Sequence, residues 1–299
     1  RVDAVSIPRD TLVDIPECKS LDGETAGAEE DGQFNSAFAN GAGTGNDKKA
    51  VASGAACTLK TVEKMTDIRI DDFVVVDFNG LSKVVDSLGG VHVQVDEAID
   101  DPDYTGMKLD EGCQKLDGQT ALQYARVRHG VGDGSDISRI SRQQKLMNAM
   151  ASKALSSNLL TQSGFLTSTL ETLTTSEHIG QIGNLSGLAY SVQGVGMDKI
   201  NFITMPNEQA ADENRVVPSE NAKKVWKAIK EDKPIPADAA APATDAGATA
   251  GDQAASEEGP TGSSEADAAT TQAPQTQAPQ TGTSSQQPTA KPSAQTCPA

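Results

Sequence analysis

Residues 1–7 alternate apolar and polar side chains closely enough for a strand, and Pro8 closes it at a turn. A stretch rich in Gly, Ala, Asn and Asp covers about 17–56, with a short helix expected near 34–39; a further helical turn or two falls at 59–65. The β-branched run Val74-Val75-Val76 centres a strand expected over 68–78. Leu81, Val84, Val85 and Leu88 recur at helical spacing until Gly89-Gly90 stops them. Val91, Val93 and Val95 then alternate with His92 and Gln94, as in a half-buried strand with His92 exposed. Helices are expected over 117–125 and 138–155, the second with Ile140, Leu146, Met147 and Met150 among its apolar positions, and again over 167–173 and 185–192. Residues 200–205 form a strand closed by Pro206, and Ser219 is placed to cap a last helix carrying Val225, Trp226 and Ile229. Strand, helix and strand in quick succession point to an α/β layer arrangement.

The pattern fades after Asp232. Beyond Ile235 the chain holds almost no large apolar side chain and is mostly Ala, Thr, Pro and Gln. Such a segment cannot offset its ordering entropy by burial, so 232–299 is expected to be a disordered tail and 1–231 a single folded domain. The net charge is −17, of which the tail contributes six. An acidic chain without a basic run is a poor partner for nucleic acid, because phosphate neutralisation supplies most of that affinity, and a poor adsorber to anionic lipid. No apolar run approaches the roughly 20 residues of a membrane span. The chain begins at Arg1, inside a strand, with neither initiator Met nor signal peptide, and is expected to be a processed or shortened product.

Cys18, Cys57, Cys113 and Cys297 fit no zinc spacing, and no histidine accompanies them. Four cysteines permit three pairings. Cys18 and Cys57 bracket the Gly-rich excursion, where a disulfide would restrain a loose loop, and that pairing is preferred; the connectivity of Cys113 and Cys297, for which a bond to each other is one option, stays open at this level. Disulfides imply a compartment outside the cytoplasm.

The placement of arginines is the most informative chemistry. Arg9 follows a strand end; Arg126 and Arg128 stand at the end of a short helix; Arg139 and Gln143 share one face of the next. Between them lies His129-Gly130-Val131-Gly132-Asp133-Gly134-Ser135-Asp136, a loop suited to wrapping a ligand. Guanidinium forks match phosphate oxygens, and helix N-terminal amides add to the field. The alternative is that each arginine pairs with a surface carboxylate.

Several blocks resemble the LytR-CpsA-Psr family in order along the chain. They are Ser6-Ile7-Pro8-Arg9-Asp10-Thr11, Phe34-Asn35-Ser36-Ala37-Phe38, Thr61-Val62-Glu63-Lys64-Met65-Thr66, Asp77-Phe78-Asn79-Gly80, Leu88-Gly89-Gly90-Val91 and 116–122. Tyr124-Ala125-Arg126-Val127-Arg128, followed by Asp136, Arg139 and Arg142-Gln143-Gln144, is the strongest match, and the cysteines look like the actinobacterial branch.

This resemblance implies a central mixed β-sheet flanked by helices on both faces, with a deep apolar pocket for a prenyl chain. It implies a phosphotransferase that moves a glycopolymer from a polyprenyl-pyrophosphate carrier to peptidoglycan or a cell-wall protein, at the extracytoplasmic face of the membrane or in the wall. Arg9, Arg126, Arg128, Arg139 and Gln143 would surround the pyrophosphate, with Asp136 nearby as a base or as a group behind the magnesium; the plain alternative is that Asp136 caps the helix starting near Ser138. A binder of lipid pyrophosphate without turnover, and a prenyl-pyrophosphate pyrophosphatase, are the competing functions. Family domains use Mg²⁺ held by two aspartates on a strand ahead of the first arginine, and they follow a membrane anchor. Only eight residues precede Arg9 here, and Asp3 lies within the strand itself, so the metal ligands are unknown and an N-terminally shortened piece is expected.

Overall fold

The computed structural model describes residues 1–131, 136–157, 163–212, 214–239 and 297. The described part of the tail is therefore Asp232–Ala239 and Cys297; the expectation of disorder there falls largely outside the described residues.

Strands β1 (Val2–Ser6), β2 (Leu12–Ile15), β3 (Cys18–Lys19), β4 (Thr25–Ala26) and β5 (Glu29–Gln33) lead into helices α1 (Ser36–Ala42) and α2 (Lys48–Thr66). Next come β6 (Val74–Val75), α3 (Phe78–Ser87), β7 (Val91–Val95), β8 (Ile99–Asp101), β9 (Met107–Leu109), β10 (Gly112–Leu116), α4 (Gly118–Arg126) and α5 (Asp136–Ser156). The chain continues through α6 (Ser163–Thr172), β11 (Thr174–Thr175), α7 (Ile182–Gln193), β12 (Ile200–Thr204), β13 (Asn207–Gln209), β14 (Val216–Pro218) and α8 (Glu220–Lys230).

The class is mixed α/β. Among the described residues the strands pair two at a time: β1 runs parallel to β12, while β7–β10, β2–β5, β3–β4, β8–β9, β6–β11 and β13–β14 are antiparallel. The strands are short, of two to five residues, so they form small ladders rather than long continuous edges.

The main core gathers Val85 and Leu88 of the α3 end, Val91, Val93 and Val95 of β7, and Leu116, Tyr124 and Leu146 beyond. The side chain of β7 that sequence alternation expected to be exposed, His92, is half-buried, and its Nδ1 is closed off from solvent. A second, smaller core forms from Val13, Ile15, Cys18, Ala37 and Cys57.

Two segments differ from the sequence expectation. The 68–78 strand shrinks to the two residues of β6. Its flanks bond elsewhere: the Ile70 amide donates to Glu63 Oε1 at 2.8 Å, Asp72 takes Ser176 and His178, and Asp77 caps the next helix through the Gly80 amide at 2.6 Å. Phe78 consequently opens a helix. The supposedly loose 17–56 stretch is ordered into hairpins and the first half of α2, which Asp47 caps through the Ala50 amide at 2.8 Å. Here α1 and α2 meet through Gly41 and Gly54, too closely for side chains; a Cβ on Gly41 would lie 2.5 Å from the Ser53 carbonyl oxygen. The structure joins Cys18 to Cys57 across this unit and Cys113 to Cys297 on β10.

Among the described residues no helix is long and apolar enough to cross a membrane.

Candidate functional site

Helix α4 carries Arg126 and is fixed at its start. Asp117 caps it by accepting from the Thr120 amide at 2.8 Å, a bond that also holds the Asp117 carboxyl below its usual range. Gly118 lies against α3: its amide donates to Asp86 Oδ1 at 2.7 Å, and Ser82 Oγ donates to its carbonyl at 3.0 Å. A Cβ there would sit 2.2 Å from the Ser82 carbonyl oxygen, so only glycine permits the approach.

The far end of α4 is bound to α5. Gln143 Nε2 donates to the Ala125 carbonyl at 3.1 Å, and Arg142 Nη2 to the Val127 carbonyl at 2.6 Å. Arg142 is buried, so it serves to hold the exit of α4 rather than to meet a ligand. The next residue, Gln144, donates to Ser6 Oγ of β1 at 2.9 Å and Thr204 Oγ1 of β12 at 3.2 Å. The strand that delivers Arg9, the helix that delivers Arg126 and the helix that delivers Arg139 and Gln143 are thereby laced together.

Alongside this junction lies a cavity of about 390 Å³. Its walls are Val76, Leu81 and Val84 from the β6–α3 region, Leu122 of α4, and Leu146, Met147 and Met150 of α5, closed by Leu173 beyond α6. Arg126 and Gln143 line the same cavity. The Arg126 guanidinium carbon stands 4.6 Å over the Phe78 ring centroid, a cation–π contact that aims an exposed charge at an apolar rim. Three of the large apolar side chains most open to solvent lie here: Val76 is 50% exposed, Phe78 59% and Met147 55%. An apolar well with a cation at its edge fits an amphiphile with an anionic head.

The other arginines occupy varied settings. Arg9 is exposed and its Nε pairs with Asp10 Oδ2 at 3.1 Å; Asp10 also accepts from Gln33 Nε2 at 3.0 Å. Arg128 and Arg139 are half-buried, with Nε of Arg139 shut off from solvent. Asp136 is the first residue of α5, and its side chain lies outside the described residues. The sequence gives Leu146, Met147 and Met150 as apolar positions of the helix over 138–155, but marks neither the α3 wall nor Phe78 as part of a pocket. Phe78 stood within one of the family-like blocks, next to a capping Asp, and that was the available signal.

Among the described residues no three His, Cys, Asp or Glu side chains gather as a metal site. Asp10, the carboxylate nearest in sequence to Arg9, is already engaged by Arg9 and Gln33. Among the described residues, then, no magnesium site is composed.

The LytR_cpsA_psr family model matches residues 1–231. Cell wall biosynthesis protein LcpA of Corynebacterium glutamicum is 30% identical over 206 residues, covering 68% of this chain and 39% of that protein. The polyisoprenyl-teichoic acid–peptidoglycan teichoic acid transferase TagU of Halalkalibacterium halodurans is 29% identical over 220 residues, covering 69% of this chain and 64% of its own length. The chain thus spans less than two thirds of either relative. Among solved structures, Bacillus subtilis TagV is similar with a TM-score of 0.57 and 27% identity, over 77% of this chain and 83% of that one. A LytR-Csp2A-Psr enzyme from Actinomyces oris shares the fold with a TM-score of 0.56 at 20% identity, over 76% and 80%.

Proposed function

The chain belongs to the LytR-CpsA-Psr family, and on that premise we propose that it transfers a glycopolymer from a polyprenyl-pyrophosphate carrier to peptidoglycan or a cell-wall protein. The observation that carries the reading is the apolar cavity with Arg126 on its lip and Gln143 in its wall. The prenyl chain occupies the well, and the pyrophosphate lies at the rim, where Arg126, Arg128, Arg139 and Arg9 neutralise its oxygens. The names of the relatives, a wall biosynthesis protein and teichoic acid transferases, support this substrate class. Two disulfides support a working place outside the cytoplasm, at the membrane face or in the wall.

The reaction is a displacement at the phosphorus that bears the sugar. An acceptor hydroxyl oxygen forms the new P–O bond and gives up its proton. The bridging P–O bond breaks, and polyprenyl phosphate leaves with the electron pair. Positioning and charge neutralisation supply most of what such a step needs. Asp136, at the start of α5, is the proposed base.

The test incubates the chain with labelled glycosylated polyprenyl pyrophosphate and peptidoglycan, with and without Mg²⁺, the cofactor the family resemblance implies. Label should enter peptidoglycan as polyprenyl phosphate is released, and Arg126→Ala should lower kcat/KM by about a hundredfold. Label released only as free phosphorylated polymer would instead mean a pyrophosphatase, and binding without turnover in either condition a carrier-lipid binder.

A further inference from the structure

Tyr104 is 72% exposed, yet it is not a free side chain. It stands at the tip of the β8–β9 hairpin, whose register pairs Asp101 with Met107. Thr105 Oγ1 donates to Asp101 Oδ2 at 2.7 Å inside the turn, and Gln123 Nε2 of α4 donates to the Thr105 carbonyl at 2.8 Å. The hairpin is thus pinned to the helix that ends in Arg126. It is also held against the segment after Arg128, because Gly130 has its backbone against Asp100. A Cβ on Gly130 would fall 2.1 Å from the Asp100 carbonyl oxygen, and its φ of +67° is the left-handed conformation that glycine adopts readily.

Between these two fastenings the Tyr104 ring stacks on His129, with centroids 3.9 Å apart and planes 25° from parallel. His129 is itself exposed and directly follows Arg128. The stack presents aromatic surface to solvent, one residue along the chain from an arginine proposed to hold phosphate.

We propose that Tyr104 and His129 form a platform for a pyranose ring at the pyrophosphate end of the site. The inference rests on the reading that the Arg126–Arg128 segment binds the pyrophosphate. The apolar well takes the prenyl side of that group, so the sugar side must leave the well, and a sugar ring offers a face of C–H groups that packs on aromatic carbon while its hydroxyls stay in water. The same chemistry has two sources, the sugar carried on the pyrophosphate and a sugar of the acceptor glycan.

The test measures three quantities for wild type, Tyr104→Ala and Tyr104→Phe: affinity for a short prenyl pyrophosphate, affinity for the same lipid bearing one N-acetylhexosamine, and KM for a soluble acceptor oligosaccharide. Tyr104→Ala should leave the plain lipid unchanged. It should weaken either the glycosylated lipid or the acceptor by about five- to tenfold, which identifies the source, and Tyr104→Phe should restore the loss. No change in either sugar-dependent quantity would overturn the platform, as would an equal loss for the plain and glycosylated lipids. The underlying pyrophosphate reading is checked separately by Arg126→Ala: if that variant binds the plain lipid as wild type does, the arginine reading fails, whatever Tyr104 shows.

Discussion

At the scale of single residues, the site uses arginines in two distinct ways. Arg126 is exposed, stacked on Phe78 and directed to a cavity rim, while Arg142 is buried and spends its guanidinium on the Val127 carbonyl. The family-like blocks hold both, and the family resemblance gives the pyrophosphate to Arg126 and no role to Arg142; spacing alone does not explain the difference, because a charge at a helix end and a charge inside a helix junction have the same local spelling. Burial decides between the roles, and burial is a property of what α4 and α5 do to each other. Tyr124 shows the same dependence. It was legible as part of a motif, but in the structure it is a core residue, and burial, with the Asp96 carboxylate adding to it, pushes its phenol up to about 12 from an ordinary 10.0. Folded and unfolded chains both hold the neutral phenol below pH 10, so its contribution to stability is complete there. As pH rises from 10 towards 12 the unfolded phenol ionises first, and stability falls. Denaturant midpoints at about pH 9 and about pH 11 should therefore drop more for wild type than for Tyr124→Phe. An equal drop in both would mean that Tyr124 is not the group responsible.

At the scale of elements, α4 is the piece on which the site depends, since it is capped by Asp117, pressed on α3 at Gly118 and tied to α5 at Ala125 and Val127. Its existence was legible, since the sequence predicts a helix over 117–125. Its pressure on α3 was not, because a glycine at a helix start looks like a weak position until the opposing Ser82 carbonyl is known. Gly118→Ala should cost about 1–3 kcal/mol and lower activity as well, since the shift passes along α4 to Arg126. Thermal melts alongside the transfer assay check this, and a variant as stable and active as wild type would refute the close contact. The α1–α2 pair was under-read for a related reason: its contact is made by glycine and alanine, which carry little hydrophobic signal. The 68–78 segment was over-read because three valines in a row look like a strand, although the polar residues around them bond to other side chains and leave only β6.

At the scale of the whole molecule, the described residues from Arg1 to Ala239 carry small ladders and helices that place an apolar well beside a cationic rim. The class of fold and the family were legible because blocks of residues keep their order over about 1–150, and the family model extends the match to 1–231. The well was legible through the family resemblance alone, since its walls come from α3, α4, α5 and the end of α6, and no one of these helices shows from its own pattern that it faces a void. The account therefore stands most directly on whether that void takes a lipid. Affinity should be measured for prenyl pyrophosphates of increasing chain length, with inorganic pyrophosphate as the reference. Binding should tighten with each isoprene unit until the cavity is full, because each buried CH₂ contributes about 0.8 kcal/mol. Filling the well with Leu122→Trp should flatten the series and leave inorganic pyrophosphate unaffected. Affinity independent of chain length in the wild-type protein would contradict the account.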